Sequence, residues 1–173
     1  MKTNISLAKK WVLSAIADLE RFLKSVKTED FADAAFRSQF AIEKLNKSIL
    51  VLLGVKIQKT HEPTKILKDV LKDKDSRKFD KKAEEMIKQM ISYSLLFEEE
   101  GTKTRYGVYK EDEFLLAEEI YTSLEDIKQF IIYLEKIISI YIKIIQEIFQ
   151  IPKTELEDLQ TLENIQEDII KWI

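Results

Sequence analysis

The chain contains no cysteine, three glycines, two prolines and a single histidine, His61. The absence of cysteine excludes disulfides, thiolate catalysis and iron–sulfur ligation. A single histidine excludes any zinc site that needs two histidines from one chain. Gly54, Gly101 and Gly107 lie too far apart to form a glycine-rich phosphate-binding loop. So little glycine and proline also disfavours sheet-rich folds, which need many turns, and favours long helices with few breaks.

The length and charge suit one folded domain. The 173 residues are 45% apolar and 34% charged, which is typical of a globular rather than a disordered chain. Residues 1–20 show no secretory signal, so we expect a cytoplasmic protein. Residues 1–82 carry 19 Lys/Arg against 11 Asp/Glu, whereas residues 83–173 carry 9 against 20. This asymmetry suits an anionic ligand or head-to-tail pairing, although solvated helix faces would also produce it.

Apolar spacing predicts an all-α fold of about five helices plus a C-terminal helical extension. Helices are predicted over residues 4–27, 30–53, 63–72, 80–99 and 111–150. Gly54 is expected to cap the second helix, and residues 101–109 are expected to form a loop, as is the charged segment 72–82. Beyond Pro152, Thr154 and Glu157 form a capping-box pair that predicts a last helix. The few asparagines and the many lysines and glutamates resemble a thermophile composition.

The most apolar stretch is residues 131–151. It carries four charges, Glu135, Lys136, Lys143 and Glu147, which argues against a membrane span. Its apolar surface is also wider than a coiled-coil seam. We therefore expect a helix that is buried on more than one side, either beneath the C-terminal helix or in a dimer interface.

Two groups of polar residues could carry chemistry in the first half of the chain. Gln39, Glu43 and Lys47 are spaced four residues apart and share one face of the second helix, with Lys44 beside them. Glu43 can pair with Lys47, but an ordinary exposed helix face would show the same spacing. His61 stands just before a helix, where it could contact an anion, relay a proton, or simply bond to nearby backbone.

The third candidate is Arg105-Tyr106 in the 101–109 loop. Only 4 of the 28 cationic residues are arginines, and a guanidinium grips phosphate through two parallel hydrogen bonds. Tyr106 could stack on a base. Alternatively, Arg105 ties the loop to a carboxylate. The paired carboxylates at 98–100 and 118–119 are not singled out by their context, and no metal site is predicted.

These motifs, in this order, resemble the HEPN (higher eukaryotes and prokaryotes nucleotide-binding) domain family over about residues 8–140. The second helix carries the strongest match, at Phe31, Ala34, Ser38, Gln39, Ala41, Glu43, Lys44 and Lys47. Thr60-His61 matches the family's Thr-His before a short helix, and Arg105-Tyr106 matches its Arg-Tyr turn. Gly107 stands where the family often has proline, and Glu62-Pro63 departs from its usual pattern.

The resemblance implies an up-and-down helical bundle over residues 1–150, commonly a homodimer. The helix in 151–173 would pack on the bundle or on a dimer partner. It also implies a nucleotide or RNA ligand, often beside a separate minimal nucleotidyltransferase subunit. In this interpretation Arg105 clamps phosphate and Tyr106 stacks or orients the loop. His61 donates a hydrogen bond, and Lys44 and Lys47 supply positive field.

Many HEPN proteins are toxins that cut RNA with an arginine and a later histidine that are separated by four to six residues. This chain has no such pair, because no arginine precedes His61 at that spacing. We therefore predict a non-catalytic nucleotide- or RNA-phosphate-binding module, with no catalytic residue and no cofactor beyond a bound nucleotide. The alternatives are a ribonuclease that uses His61 and Arg105, if they meet in the fold, and a structural protein whose apolar 127–151 face binds a partner.

Overall fold

A computed structural model describes residues 4–57, 60–73, 80–152 and 158–173. Its helices are α1 (Ile5–Lys27), α2 (Phe31–Leu52), α3 (Pro63–Lys72), α4 (Lys81–Glu99), α5 (Lys103–Tyr106), α6 (Ala117–Ile120), α7 (Leu124–Lys143) and α8 (Asp158–Ile170). A small antiparallel hairpin, β1 (Val108–Lys110) and β2 (Glu113–Leu115), lies between α5 and α6, and a π-helical turn, Ile144–Ile148, follows α7. The prediction of an all-α bundle is confirmed.

Side-chain caps define where the long helices begin. Asn4, Asp30 and Asp80 each accept a hydrogen bond from the backbone N–H three residues further on, which satisfies a donor that the helix leaves unpaired. Gly54 ends α2 as predicted. Its φ of 69° lets the Val55 N–H bond back to the Leu50 carbonyl at 2.9 Å. These local signals are the reason the first four predicted helices agree with the structure to within two residues.

Helix α2 lies at the centre of the molecule. It packs along α1 and also contacts α3, α4 and α7. Ala34, Ala35 and Ala41 are fully buried, and their small side chains allow the close approach of α1. Because α2 is surrounded in this way, several of its polar residues are also buried, and these need partners inside the protein.

The predicted helix over residues 111–150 is wrong in its first part. The chain forms the hairpin, with Tyr109 opposite Phe114, and then the short helix α6 before α7 begins at Leu124. Gly107 permits this path, because its φ is 80° and an added Cβ would lie 2.1 Å from the Leu115 carbonyl oxygen. The 101–109 loop likewise contains α5 and β1.

A capping box explains the late start of α7. Asp126 accepts hydrogen bonds from the Ser123 backbone N–H at 2.9 Å and from the Thr122 N–H at 3.0 Å, and the Ser123 hydroxyl accepts from the Asp126 N–H. The hydrogen bonds from Ser123 and Thr122 lower the pKa of Asp126. Ser123 therefore separates α6 from α7, and the predicted continuous helix is broken there.

The apolar side of α7 is buried within the chain. Ile131, Leu134, Ile138 and Tyr141 are fully buried, and α7 packs against α2, α4 and α8. Helix α8 also contacts α1. Much of the apolar surface on which the partner-binding alternative was based is therefore buried within the chain, and that alternative stays a prediction. Thr154, Glu157 and the central part of the 72–82 loop lie outside the described residues. Within the described ranges, no helix is both long and apolar enough to cross a membrane.

Candidate functional site

Five of the predicted site residues meet at one place. Gln39, Glu43 and Lys47 project from one side of α2, His61 lies just before α3, and Arg105 lies on α5. We call these five residues the Glu43 cluster. The helical spacing aligns the first three, whereas the chain path before α3 and the turn at α5 bring the other two to them.

Glu43 is the centre of this cluster and is almost completely buried. Its Oε1 accepts a hydrogen bond from Lys47 Nζ at 2.6 Å. Its Oε2 lies 3.1 Å from His61 Nδ1 and 3.7 Å from Arg105 Nη2. One carboxylate thus faces a lysine, an arginine and a histidine, so the cluster carries more cationic groups than anionic ones and an anion can balance the excess.

Gln39 holds the short helix α5 in place. Its Oε1 accepts from Thr104 Oγ1 at 3.0 Å and from Arg105 Nε at 3.4 Å. Gly101 makes this contact geometrically feasible, because an added Cβ would lie 2.2 Å from Gln39 Nε2. The arginine is also positioned by Phe40, whose ring centre lies 5.0 Å from the guanidinium carbon.

The terminal nitrogen Nη2 of Arg105 is buried and donates no hydrogen bond to any described residue. Buried guanidinium N–H groups are normally paired, since leaving one unpaired costs free energy. The nearest carboxylate oxygen is the one on Glu43, which is too far for a hydrogen bond. This nitrogen is therefore a donor that an incoming oxygen atom can satisfy.

His61 is the solvent-facing member of the cluster. Its side chain is 58% exposed, although its Nδ1 contacts Glu43. The segment that carries it is anchored three residues later, where the Thr64 backbone N–H donates to Glu98 on α4 at 3.0 Å. Burial raises the pKa of Glu98, and the two hydrogen bonds from Thr64 oppose that effect. The histidine thus stands at the entrance between solvent and the buried carboxylate.

Lys44 does not lie in the Glu43 cluster. Successive residues point about 100° apart around a helix, so Lys44 faces α1. There it forms an ion pair with the buried Asp18 and donates to the Ser14 carbonyl at 3.3 Å. Asp18 also pairs with Arg21 and Arg37, so Lys44 belongs to an ion-pair group in the α1–α2 interface and not to the Glu43 cluster.

Tyr106 lies outside the Glu43 cluster and is 70% exposed. It borders a cleft of about 550 Å³ between the start of α2, α5 and α6, which we call the α2–α6 cleft. The lining residues are Asp30, Ala32, Asp33, Phe36, Thr104, Arg105, Tyr106, Leu116, Ala117 and Glu118. Sequence reasoning missed this cleft, because α6 had been predicted as part of a longer helix. Arg105 belongs both to the cleft and to the Glu43 cluster.

The described residues offer no set of metal ligands. In the part of the chain that the structure describes, no group of three or more His, Asp or Glu side chains is arranged to hold a metal ion.

Comparison with known proteins gives one match. The profile of the HEPN domain family matches residues 8–148, which span α1 to the π-helical turn. No curated protein and no solved structure matches the chain. The matched segment contains every member of the Glu43 cluster and covers most of the sequence. The chain therefore belongs to the HEPN domain family.

Proposed function

We propose that this protein is a non-catalytic binding module in which the Glu43 cluster holds a phosphate group of a nucleotide or of RNA. The observation that carries the proposal is the buried Nη2 of Arg105, which donates to no described residue. This nitrogen lies in a cluster with more cationic than anionic groups. Membership of the HEPN family connects the chain with nucleotides or RNA at the level of the family.

The geometry of the cluster favours an oxyanion over a neutral ligand. Lys47 Nζ already donates to Glu43 at 2.6 Å, whereas Nη2 of Arg105 donates to no described residue. Its guanidinium is held in place by Gln39 and Phe40. His61 is exposed enough to contact the same ligand from the solvent side. Preorganised charged donors of this kind lower the entropic cost of binding.

Isothermal titration calorimetry with ATP, GTP, AMP and a short RNA tests this proposal. We expect saturable binding by the wild type. Arg105→Ala should lose about 1–3 kcal/mol of binding free energy, which raises Kd roughly 5- to 150-fold. The matched control is Lys103→Ala. Lys103 lies on the same short helix but pairs with Glu100 at 2.7 Å, outside the cluster. Equal affinity of the wild type and Arg105→Ala would remove the assigned role.

A second candidate function, RNA cleavage, is favoured by one observation. His61 and Arg105 both approach Glu43 Oε2, so the two residues meet in the fold although they are far apart in sequence. A histidine oriented by a buried carboxylate resembles a general base with its orienting group. The test is incubation with a generic RNA in the presence of a chelator. Cleavage that disappears in His61→Ala would replace the binding proposal by an enzymatic one.

A further inference from the structure

The α2–α6 cleft adjoins the Glu43 cluster directly. Thr104 and Arg105 line the cleft with one part of their side chains and contact Gln39 with another. Along α2, Phe36 in the cleft and Glu43 in the cluster are separated by about 10 Å. A ligand that places a phosphate beside Arg105 therefore has its remaining part directed towards a cavity of about 550 Å³, which is in the usual size range for small-molecule sites.

Two aromatic rings border this cleft. Phe36 is half-buried; it pairs with Phe40 at a ring-centre distance of 4.6 Å, and the Arg37 guanidinium carbon lies 5.3 Å from its ring centre. Tyr106, on α5, is 70% exposed and offers the more accessible ring face. Aromatic side chains with accessible ring faces are the groups on which unpaired bases stack. The walls of the cleft thus suit a flat, unsaturated ring system.

The carboxylates that line the cleft differ in how they are engaged. Asp33 accepts hydrogen bonds from Ser25 and Arg37, and Asp30 caps α2. Glu118 is exposed and makes no hydrogen bond or ion pair with any residue that the structure describes. Its two oxygens are therefore available as acceptors for a ligand inside the cleft.

We propose that the α2–α6 cleft holds the base of the nucleotide and that Glu118 selects guanine. The inference depends on the phosphate site proposed above, since Arg105 joins the two. Guanine carries two adjacent donors on one edge, the ring N1–H and the 2-amino group, and a carboxylate can accept both. Adenine presents an unprotonated ring nitrogen at the corresponding position, which a carboxylate repels. Phe36 and Tyr106 contact the faces of the base.

Calorimetric titration of the full chain with GTP, ATP, inosine triphosphate and inorganic tripolyphosphate tests this inference. GTP should bind at least tenfold more tightly than ATP. The affinity for inosine triphosphate should lie between those for GTP and ATP, because it lacks the 2-amino group and leaves one Glu118 oxygen without its donor. Glu118→Gln should lower GTP affinity to the ATP value and leave tripolyphosphate unchanged. The control Glu113→Gln, an exposed glutamate on β2 outside the cleft, should alter none of these affinities.

The outcomes separate the two proposals. Equal affinities for GTP, ATP and inosine triphosphate, with no effect of Glu118→Gln, would overturn the base assignment. If binding were still lost in Arg105→Ala, the phosphate site would stand. No binding of any of the four ligands by the wild type would overturn the base assignment, and no binding of the short RNA either would overturn both. Because Glu118 is exposed, its substitution by glutamine should leave the melting temperature unchanged, which differential scanning calorimetry verifies.

Discussion

Replacing Glu43 by glutamine removes the negative charge at the centre of the cluster while keeping the side-chain shape. Lys47 and Arg105 have side chains only 9% and 15% exposed, so their charges would remain in a poorly hydrated environment. Removing one partner of a buried ion pair typically costs about 3–5 kcal/mol. Here the glutamine oxygen can still accept from Lys47, and the Trp11 ring lies 5.1 Å from its ammonium nitrogen. We therefore expect Glu43→Gln to lower the free energy of unfolding by about 2–3 kcal/mol.

The same substitution should strengthen anion binding. The cluster gains one unit of positive charge, and a bound phosphate no longer faces the carboxylate. At a separation of roughly 6 Å and an effective dielectric constant of about 20, that repulsion amounts to about 3 kcal/mol before screening by salt. We expect at least tenfold tighter phosphate binding by Glu43→Gln. Added phosphate should then restore part of the lost stability, because a ligand that binds only the native state stabilises it.

Differential scanning calorimetry with and without inorganic phosphate measures both effects. For a chain of this size a loss of 2–3 kcal/mol lowers Tm by about 4–12 °C. The matched control is Glu125→Gln. Glu125 pairs with Lys128 but is 78% exposed, so its loss should cost no more than about 0.5 kcal/mol. A Tm for Glu43→Gln equal to that of the control, or an equal rise with phosphate in mutant and wild type, would refute the reasoning.

Three further substitutions test other parts of the structure. Burial raises the pKa of Tyr141, which hydrogen-bonds Ser48 at 2.7 Å. The free energy of unfolding should therefore fall as pH rises above about 10, where the tyrosine of the unfolded chain ionises. Urea melts of Tyr141→Phe should show about 1 kcal/mol less stability at neutral pH, from the lost hydrogen bond, and a smaller fall at high pH. Glu29 has a φ of 59° just after α1, so Glu29→Gly should stabilise the protein by about 0.5–1 kcal/mol; a lower Tm would contradict this. Gly101→Ala should displace Gln39 and weaken phosphate binding several-fold, and unchanged calorimetric affinity would show that Gln39 does not position Arg105.

Much of the fold could be predicted because its signals are local. The caps at Asn4, Asp30 and Asp80 and the stop at Gly54 act through neighbouring backbone groups, so spacing and residue type are enough to find them. Residues 108–123 could not be predicted in the same way. Their apolar residues also fit a helix, and the hairpin depends on the close approach of Gly107 and β2.

The site shows the same division. The i, i+4, i+8 spacing indicated that Gln39, Glu43 and Lys47 share a face. It did not show that Lys44, the residue after Glu43, faces α1 and pairs with Asp18. The family resemblance led to His61 and Arg105, but their approach to one carboxylate oxygen required the packing of α3 and α5 around α2. A homodimer and a nucleotidyltransferase partner stay predictions, which sedimentation and co-purification would test.

By itself, the sequence determined that the chain is helical, where its first four helices begin and end, and which polar residues line α2. These properties follow from short-range hydrogen bonds and from the 3.6-residue period. The tertiary structure decided that Glu43 gathers Lys47, His61 and Arg105, that Arg105 keeps a buried donor with no acceptor among the described residues, and that a cleft opens beside it. Those features depend on contacts between distant segments, such as the one between Gln39 and Arg105, which are 66 residues apart, and only the packed fold brings such segments together.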